Sequence, residues 1–97
     1  MKIIRLDRGK GKTTELVKRS NSEWKYIVCR DQQRLDVIEK VAADLNLVIP
    51  YPITVDELPL RSKHIESVLV DDIEDILEYI IQKPIDIATT SCEVEEL

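Results

Sequence analysis

The sequence has little glycine, proline, cysteine and histidine, and these shortages exclude several classes of protein. Two Gly and four Pro among 97 residues exclude collagen-like and low-complexity chains. The two cysteines, Cys29 and Cys92, lack CxxC spacing, and His64 is the sole histidine, so a zinc site is not expected. Both thiols are expected to be reduced. We interpret Cys29 as a buried strand residue and His64 as a surface loop residue.

A long apolar run is also missing. No stretch approaches the roughly 20 residues of a membrane span, and residues 1–7 are too few and too charged for a signal peptide. We therefore expect a cytoplasmic protein with no membrane partner. The composition, 43% hydrophobic and 34% charged, is that of a folded protein, and a chain of this length can build one core.

The net charge of −5 is unevenly distributed along the chain. Residues 1–30 contain nine Lys/Arg and three Asp/Glu, whereas residues 31–97 contain five Lys/Arg and sixteen Asp/Glu. The basic part is the place to look for an anionic ligand, and the acidic part is suited to a cation. The negative total argues against a general nucleic-acid-binding protein, which would be basic over the whole domain.

Hydrophobic patterning predicts alternating strands and helices. Strands are expected at residues 2–6, 24–29, 67–70 and 85–89. Helices are expected from Lys12 to Arg19, over residues 32–46 after an Asp31 N-cap, and from Ile73 to a stop before Pro84, with a short helix near 55–60 that Thr54 and Glu57 would cap. Residues 1–92 would form one domain, and residues 93–97 an acidic, loose tail. This alternation predicts an α/β fold with parallel strands, whose ligand lies at the carboxyl edge of the sheet.

The first turn after a strand, residues 7–14, has the composition of a phosphate loop. Its two glycines allow backbone amides to approach phosphate oxygens, and the helix that follows presents unpaired N–H groups. Lys12 would reach the β- and γ-phosphates, and the Thr13 hydroxyl would ligate Mg²⁺. The predicted phosphate-binding residues are Gly9, Lys10, Gly11, Lys12, Thr13 and Thr14. The alternative is a basic surface turn.

This loop resembles the Walker A motif of P-loop nucleoside triphosphatases, with Leu6 where that motif has its leading glycine. Some phage ATPases, including large terminase subunits, are similar in this respect. Asp71 and Asp72 follow the run Val68–Val70 and resemble a Walker B motif. The resemblance implies that Asp71 holds the Mg²⁺ shell and that Asp72, with Lys12, acts in catalysis by activating water. The alternative is an acidic helix start, which the helix dipole favours.

The chain is similar to short phage-encoded members of the branch of P-loop proteins with an additional catalytic acid, where Glu usually stands at the position of Asp72. The resemblance implies a three-layer fold with a four-stranded parallel sheet in the order 1-4-3-2 and the fifth strand missing. It also implies a sensor of the γ-phosphate at Thr89 and Thr90. The edge of the first strand would then be exposed, and a partner chain or a second copy is expected to cover it. A phage-encoded protein would act in the host cytoplasm.

The expected function is Mg²⁺-dependent binding of ATP or GTP with slow hydrolysis; the Asn-Lys-x-Asp signature of GTPases is absent, which favours ATP. One alternative is a non-catalytic interaction protein that keeps the fold as a scaffold. Another is a subunit of a nucleic-acid-associated ATPase that uses the basic first 30 residues. The sequence assigns no arginine finger among Arg8, Arg30, Arg34 and Arg61.

Overall fold

The computed structural model describes residues 1–7, 9 and 11–97, and this part of the chain forms α-helices and short strands in alternation. The helices are α1 (Lys12–Glu23), α2 (Gln32–Asp44) and α3 (Ile73–Ile81). The strands are β1 (Lys2–Arg5), β2 (Ile27–Cys29), β3 (Ile53–Thr54), β4 (Leu69–Val70) and β5 (Glu93–Glu96). A 3₁₀ turn at Val55–Glu57 follows β3 directly.

The strands form two small parallel sheets. In one, β2 is central and pairs with β3 on one side and with β4 on the other. In the other, β1 pairs with β5. The predicted α/β class with parallel strands is confirmed, and so is the pairing of the strands that contain Ile27 and Leu69. The single four-stranded sheet of order 1-4-3-2 is not present in the described residues.

The central strand β2 separates two apolar clusters. Ile27 and Cys29 are fully buried against α1 and α2, where Val17 and Ile38 are also fully buried. Val28, which points to the other face of the sheet, packs in a second cluster with residues of β3 and α3. Helices therefore cover both faces of β2, as a parallel strand requires. In the described part of the chain no helix is both long enough and apolar enough to cross a bilayer.

Two predicted capping interactions are confirmed. Asp31 caps α2, and its side chain accepts a hydrogen bond from the Arg34 amide at 3.0 Å. The Thr54 amide donates to the Glu57 carboxylate at 2.8 Å, which closes the predicted capping box around the 3₁₀ turn. These local interactions need only neighbouring residues, which is why the sequence alone reveals them.

The C-terminal part of the chain differs from the sequence-based prediction. Residues 85–89 are not a strand, and the Ile87 side chain is 83% exposed. Glu93–Glu96, interpreted from its polarity as a loose tail, forms β5 and covers one edge of β1. Opposite charges explain this pairing: Lys2 forms an ion pair with Glu95, and Arg5 contacts Glu96 at 3.5 Å. The pattern inside β5 is too polar to be recognised as a strand without its basic partner.

Candidate functional site

The phosphate-loop candidate ends in a backbone that only glycine adopts easily. Gly9 has a φ of 78° and Gly11 a φ of 90°, both in the left-handed region. Gly11 is also the N-cap of α1, and no side chain caps its first turn, so N–H groups at this helix end are left for a ligand. The predicted contribution of Lys10 lies outside the described residues, as does that of Arg8.

The acidic strand end lies beside the same helix. Asp71 follows β4 and is 3% exposed, and its amide donates to the Val28 carbonyl at 2.9 Å. Asp72 is the N-cap of α3 with a φ of 61°, an uncommon conformation for a residue with a side chain. Parallel pairing of β4 with β2 holds Asp71 at the carboxyl edge of the sheet. After the turn at Asp72, the carboxylates of Asp71 and Asp72 contact different side chains.

Two contacts join the phosphate loop to the acidic strand end. The Lys12 Nζ lies 3.5 Å from Asp72 Oδ2, and the Thr13 hydroxyl donates to Asp71 Oδ1 at 3.4 Å. The partners in each pair are about sixty positions apart in the chain. Four of the residues predicted from two separate motifs are therefore neighbours in space. Thr14 lies in the first turn of α1, half-buried.

Arg34 belongs to the same cluster, although the sequence did not single it out from the other arginines. One of its terminal nitrogens donates to Asp71 Oδ2 at 2.9 Å and to the Thr13 hydroxyl at 3.2 Å. The available signal was its position three residues after the Asp31 N-cap, which sets it in the first turn of α2 at the carboxyl end of β2. We name Lys12, Thr13, Arg34, Asp71 and Asp72 the polar cluster.

The predicted sensor residues are not part of the polar cluster. Thr89 and Thr90 lie in the exposed segment that follows α3. The Thr90 hydroxyl accepts a hydrogen bond from the Cys92 amide at 2.9 Å, a local contact within this segment.

Asp72 has an unusual electrostatic environment. Burial acts to raise its pKa, but the hydrogen bond with Glu74 and the charge of Lys12 outweigh burial, so the pKa of Asp72 lies below its usual value. The pKa of Glu74 is raised, because it shares that hydrogen bond, and desolvation and the charge of Asp72 act in the same direction. Asp72 Oδ1 is buried and has no hydrogen-bond partner within the described residues. A cation or a donor from a ligand would satisfy this oxygen.

Replacing Glu74 with glutamine should stabilise the protein at neutral pH. The stabilising contribution of protonated Glu74 is present in full when the pH is below the pKa that Glu74 has in the unfolded chain. This contribution is lost as the pH rises through the raised pKa of Glu74 in the folded protein. A glutamine amide can donate to Asp72 at every pH. We expect the Tm of Glu74→Gln to exceed that of wild type at pH 7, and the difference to shrink toward pH 4. Glu66→Gln, on an exposed loop, is the control; a pH-independent difference would contradict the prediction.

Most of the basic residues near the N-terminus are paired with acids. Lys2 pairs with Glu95, Arg5 with Glu96 at 3.5 Å, and Lys12 with Asp72 at 3.5 Å. Arg30 contacts both Asp31 at 3.0 Å and Asp75 at 2.9 Å. The basic and acidic parts of the sequence therefore neutralise each other across the fold, and no basic stripe suited to a nucleic-acid backbone is formed by these residues.

The buried thiol of Cys29 is not a nucleophile. Burial, together with the negative charges of Asp71 and Asp31, raises the pKa of Cys29 to about 11. A thiol of this kind carries almost no thiolate at neutral pH, so it reacts poorly. The prediction that Cys29 is a buried strand residue is confirmed.

A cleft of about 860 Å³ opens beside the polar cluster. Its walls are β1 on one side and β4 on the other, with α1 between them, and Lys12, Asp71 and Asp72 lie among its lining residues. The cleft is within the size range of small-molecule sites, about 300–1,000 Å³. Its lining combines apolar residues of β1, β4 and α1 with charged side chains, among them Lys12 at the start of α1.

The oxygens of Thr13 and Asp71 fit a hard cation. Neighbouring ligands of an octahedral Mg²⁺ lie about 3 Å apart, and the Thr13 hydroxyl lies 3.4 Å from Asp71 Oδ1. Within the described residues no group of three or more His, Cys, Asp and Glu side chains is arranged to hold a metal ion. Mg²⁺ is usually bound by one or two carboxylates together with phosphates and water, so these donors fit Mg²⁺ only with a phosphate ligand present.

Comparison with known proteins returned no relative. No protein-family model, no curated protein and no solved structure matches the chain. The geometry of the polar cluster and of its cleft is therefore the basis of the functional assignment.

Proposed function

We propose that this chain binds a nucleoside triphosphate, ATP in preference to GTP, together with Mg²⁺ at the polar cluster, and hydrolyses it slowly. The observation that carries the proposal is the pair of contacts between Lys12 and Asp72 and between Thr13 and Asp71, at the mouth of the cleft. A lysine and a hydroxyl at a helix N-terminus, facing two carboxylates, are the groups needed to bind phosphate and Mg²⁺ side by side.

Each residue of the cluster has a role in this proposal. The amides at the start of α1 and the ammonium of Lys12 would bind the phosphates, and Thr13 and Asp71 would hold Mg²⁺, which neutralises charge on the phosphates when it is bound. Lys12 now contacts Asp72 and would exchange that carboxylate for a phosphate. The carboxylate of Asp72, freed from Lys12, would accept a proton from the attacking water.

Calorimetry with and without Mg²⁺ tests the proposal. ATP titrated into wild-type protein should bind in the presence of Mg²⁺ and much more weakly in EDTA, since Asp71 and Asp72 repel the phosphates when no cation intervenes. Phosphate release from the same complex then measures hydrolysis. Absence of binding at millimolar Mg²⁺-ATP would contradict the proposal, whereas binding without turnover would leave a nucleotide-binding protein that is not an enzyme.

A non-catalytic interaction protein is the second candidate, and one observation favours it. Arg34 and Lys12 already neutralise Asp71 and Asp72, so the cluster is satisfied by the chain's own charges. A scaffold of this kind would bind anions independently of Mg²⁺. The calorimetric comparison separates the two functions, because only the first depends on the metal.

The finer sheet order is part of the proposal. Residues of β1 and β4 line the cleft, and in the described residues each of these strands has one edge without a strand partner. Residues 85–89, with Ile87 exposed, follow α3 and have no strand partner there either. We propose that residues 85–89 enter the cleft as a strand between β1 and β4 and so join the two sheets. Counted over the four strands predicted from the sequence, this is the order 1-4-3-2, with Thr89 and Thr90 at the phosphate end of the cleft. The partner chain or second copy expected at the first strand stays a prediction; β5 covers one edge of β1, and residues 85–89 would cover the other in this order.

Hydrogen exchange tests this sheet order. If residues 85–89 pair with β1 and β4, their amides should exchange as slowly as those of β4, at least tenfold more slowly than in unpaired chain. The exposed loop at residues 61–64 serves as the internal reference for fast exchange. Exchange of 85–89 at the rate of that loop, with and without Mg²⁺-ATP, would contradict the proposed order.

A further inference from the structure

The guanidinium of Arg34 lies directly beside the two oxygens that fit a metal ion, and it bridges the other Asp71 oxygen, Oδ2, and the Thr13 hydroxyl. The same nitrogen donates to Asp71 at 2.9 Å and to the Thr13 hydroxyl at 3.2 Å. The Thr13 hydroxyl and the Asp71 carboxylate are therefore both engaged by a positive charge that belongs to the chain. A dication bound to Thr13 and to Asp71 Oδ1 would lie close to this nitrogen, so the two positive charges would repel, and both would use the Thr13 oxygen and the charge of Asp71.

Asp71 depends on its contact with Arg34 more than Arg34 does, because the two side chains differ in burial. The Asp71 side chain is 2% exposed, so its charge has almost no access to water, whereas the Arg34 side chain is 29% exposed. Asp71 therefore needs a cation at all times, while Arg34 can turn toward solvent when another cation replaces it. The backbone of Arg34 is fixed in the first turn of α2, and its long, flexible aliphatic side chain allows the guanidinium to make this movement.

We infer that Arg34 is a tethered counter-ion, which neutralises Asp71 in the ligand-free protein and has to leave Thr13 and Asp71 before Mg²⁺-nucleotide can bind. This inference rests on the proposed function, and it adds a regulatory consequence: Arg34 sets the Mg²⁺ concentration at which nucleotide binds. Among the described arginines, Arg34 is the one that contacts Thr13 and Asp71. Arg30, the nearest equivalent, contacts Asp31 and Asp75 and neither Thr13 nor Asp71.

Three variants test the inference by calorimetry over a range of free Mg²⁺. In Arg34→Gln the charge is gone, and the Mg²⁺ concentration needed for half-maximal ATP binding should fall about tenfold, the effect of one charge-assisted hydrogen bond. Arg34→Lys keeps a charge beside Asp71 and should stay close to wild type. Arg30→Gln, the matched control, should not change the Mg²⁺ requirement. An unchanged or higher requirement in Arg34→Gln would overturn the inference.

Thermal unfolding without nucleotide gives a readout that is independent of ATP. Arg34→Gln leaves Asp71 buried and unpaired, so its Tm should fall, and millimolar MgCl₂ should restore more of it than KCl of equal ionic strength. Wild type should show no such preference. If Arg34→Gln does not fold, Arg34→Gln/Asp71→Asn removes both charges, and it should fold and lose the response to Mg²⁺; a retained response would overturn the inference.

The two proposals fail in different ways. If no variant binds ATP but Mg²⁺ selectively rescues Arg34→Gln, the nucleotide proposal fails and the counter-ion role stands. If wild type binds Mg²⁺-ATP and Arg34→Gln has the same Mg²⁺ requirement, the nucleotide proposal stands and the counter-ion role fails. If wild type binds ATP equally well in EDTA and Arg34→Gln loses that binding, Arg34 is a permanent replacement for the metal, which also overturns the inference.

Discussion

Replacing Lys12 with alanine should weaken Mg²⁺-ATP binding by about 10- to 100-fold. One charge-assisted hydrogen bond to a phosphate contributes about 1.5–3 kcal/mol, and Lys12 is the described lysine that contacts the acidic strand end. Asp72 would also lose the cation that offsets its burial, which adds repulsion toward the phosphates. Calorimetry at saturating Mg²⁺ measures the effect.

Lys18→Ala is the matched control for Lys12→Ala. Lys18 is on the same helix but is exposed and is not among the residues that line the cleft. Its loss removes one positive charge from the same part of the chain without touching the polar cluster. Equal weakening by both variants would mean that general charge, and not the position of Lys12, attracts the nucleotide, and the proposed phosphate site would be wrong.

The ion pair between Arg34 and Asp71 should respond unequally to removal of its two partners. Arg34→Ala leaves a carboxylate buried without a counter-ion, which we expect to reduce the free energy of unfolding by about 3 kcal/mol. Asp71→Asn leaves an arginine that can reach water and puts a neutral amide in the buried position, at a cost of about 1 kcal/mol or less. Urea denaturation of both variants at pH 7 measures the difference.

The pair formed by Arg30 and Asp75 is the reference for this asymmetry. Both side chains are about one-third exposed, so removing either partner should cost less than about 1 kcal/mol. Equal losses in Arg34→Ala and Asp71→Asn would contradict the prediction, because they would show that Asp71 is hydrated in solution.

Local signals in the sequence predicted much of the fold correctly. The N-cap at Asp31 and the apolar spacing after it place a helix over residues 32–46, and the structure has it at Gln32–Asp44. Capping and periodicity depend on neighbours a few residues away, so the chain itself contains the information. Gly9 and Gly11 were predicted to turn the loop, and both adopt a positive φ.

Features that depend on distant partners were not predicted. β5 is a run of three glutamates and a valine whose strand geometry comes from Lys2 and Arg5 on β1. Residues 85–89 have the composition of a strand, but strand propensity alone does not pair a backbone. Among the described residues this segment has no strand partner. Arg34 could not be distinguished from other arginines, since its role depends on how α2 lies against α1 and β4.

The sequence by itself determined the candidate residues: a glycine-containing turn that ends in Lys12 and Thr13, and two adjacent carboxylates at the end of an apolar run. Only the tertiary structure decided that these residues are neighbours and that Arg34 lies between Thr13 and Asp71. The physical reason is the parallel pairing of β4 with β2, which brings the ends of α1, α2 and β4 to one edge of the sheet. There the basic and acidic parts of the chain neutralise each other within a single cluster.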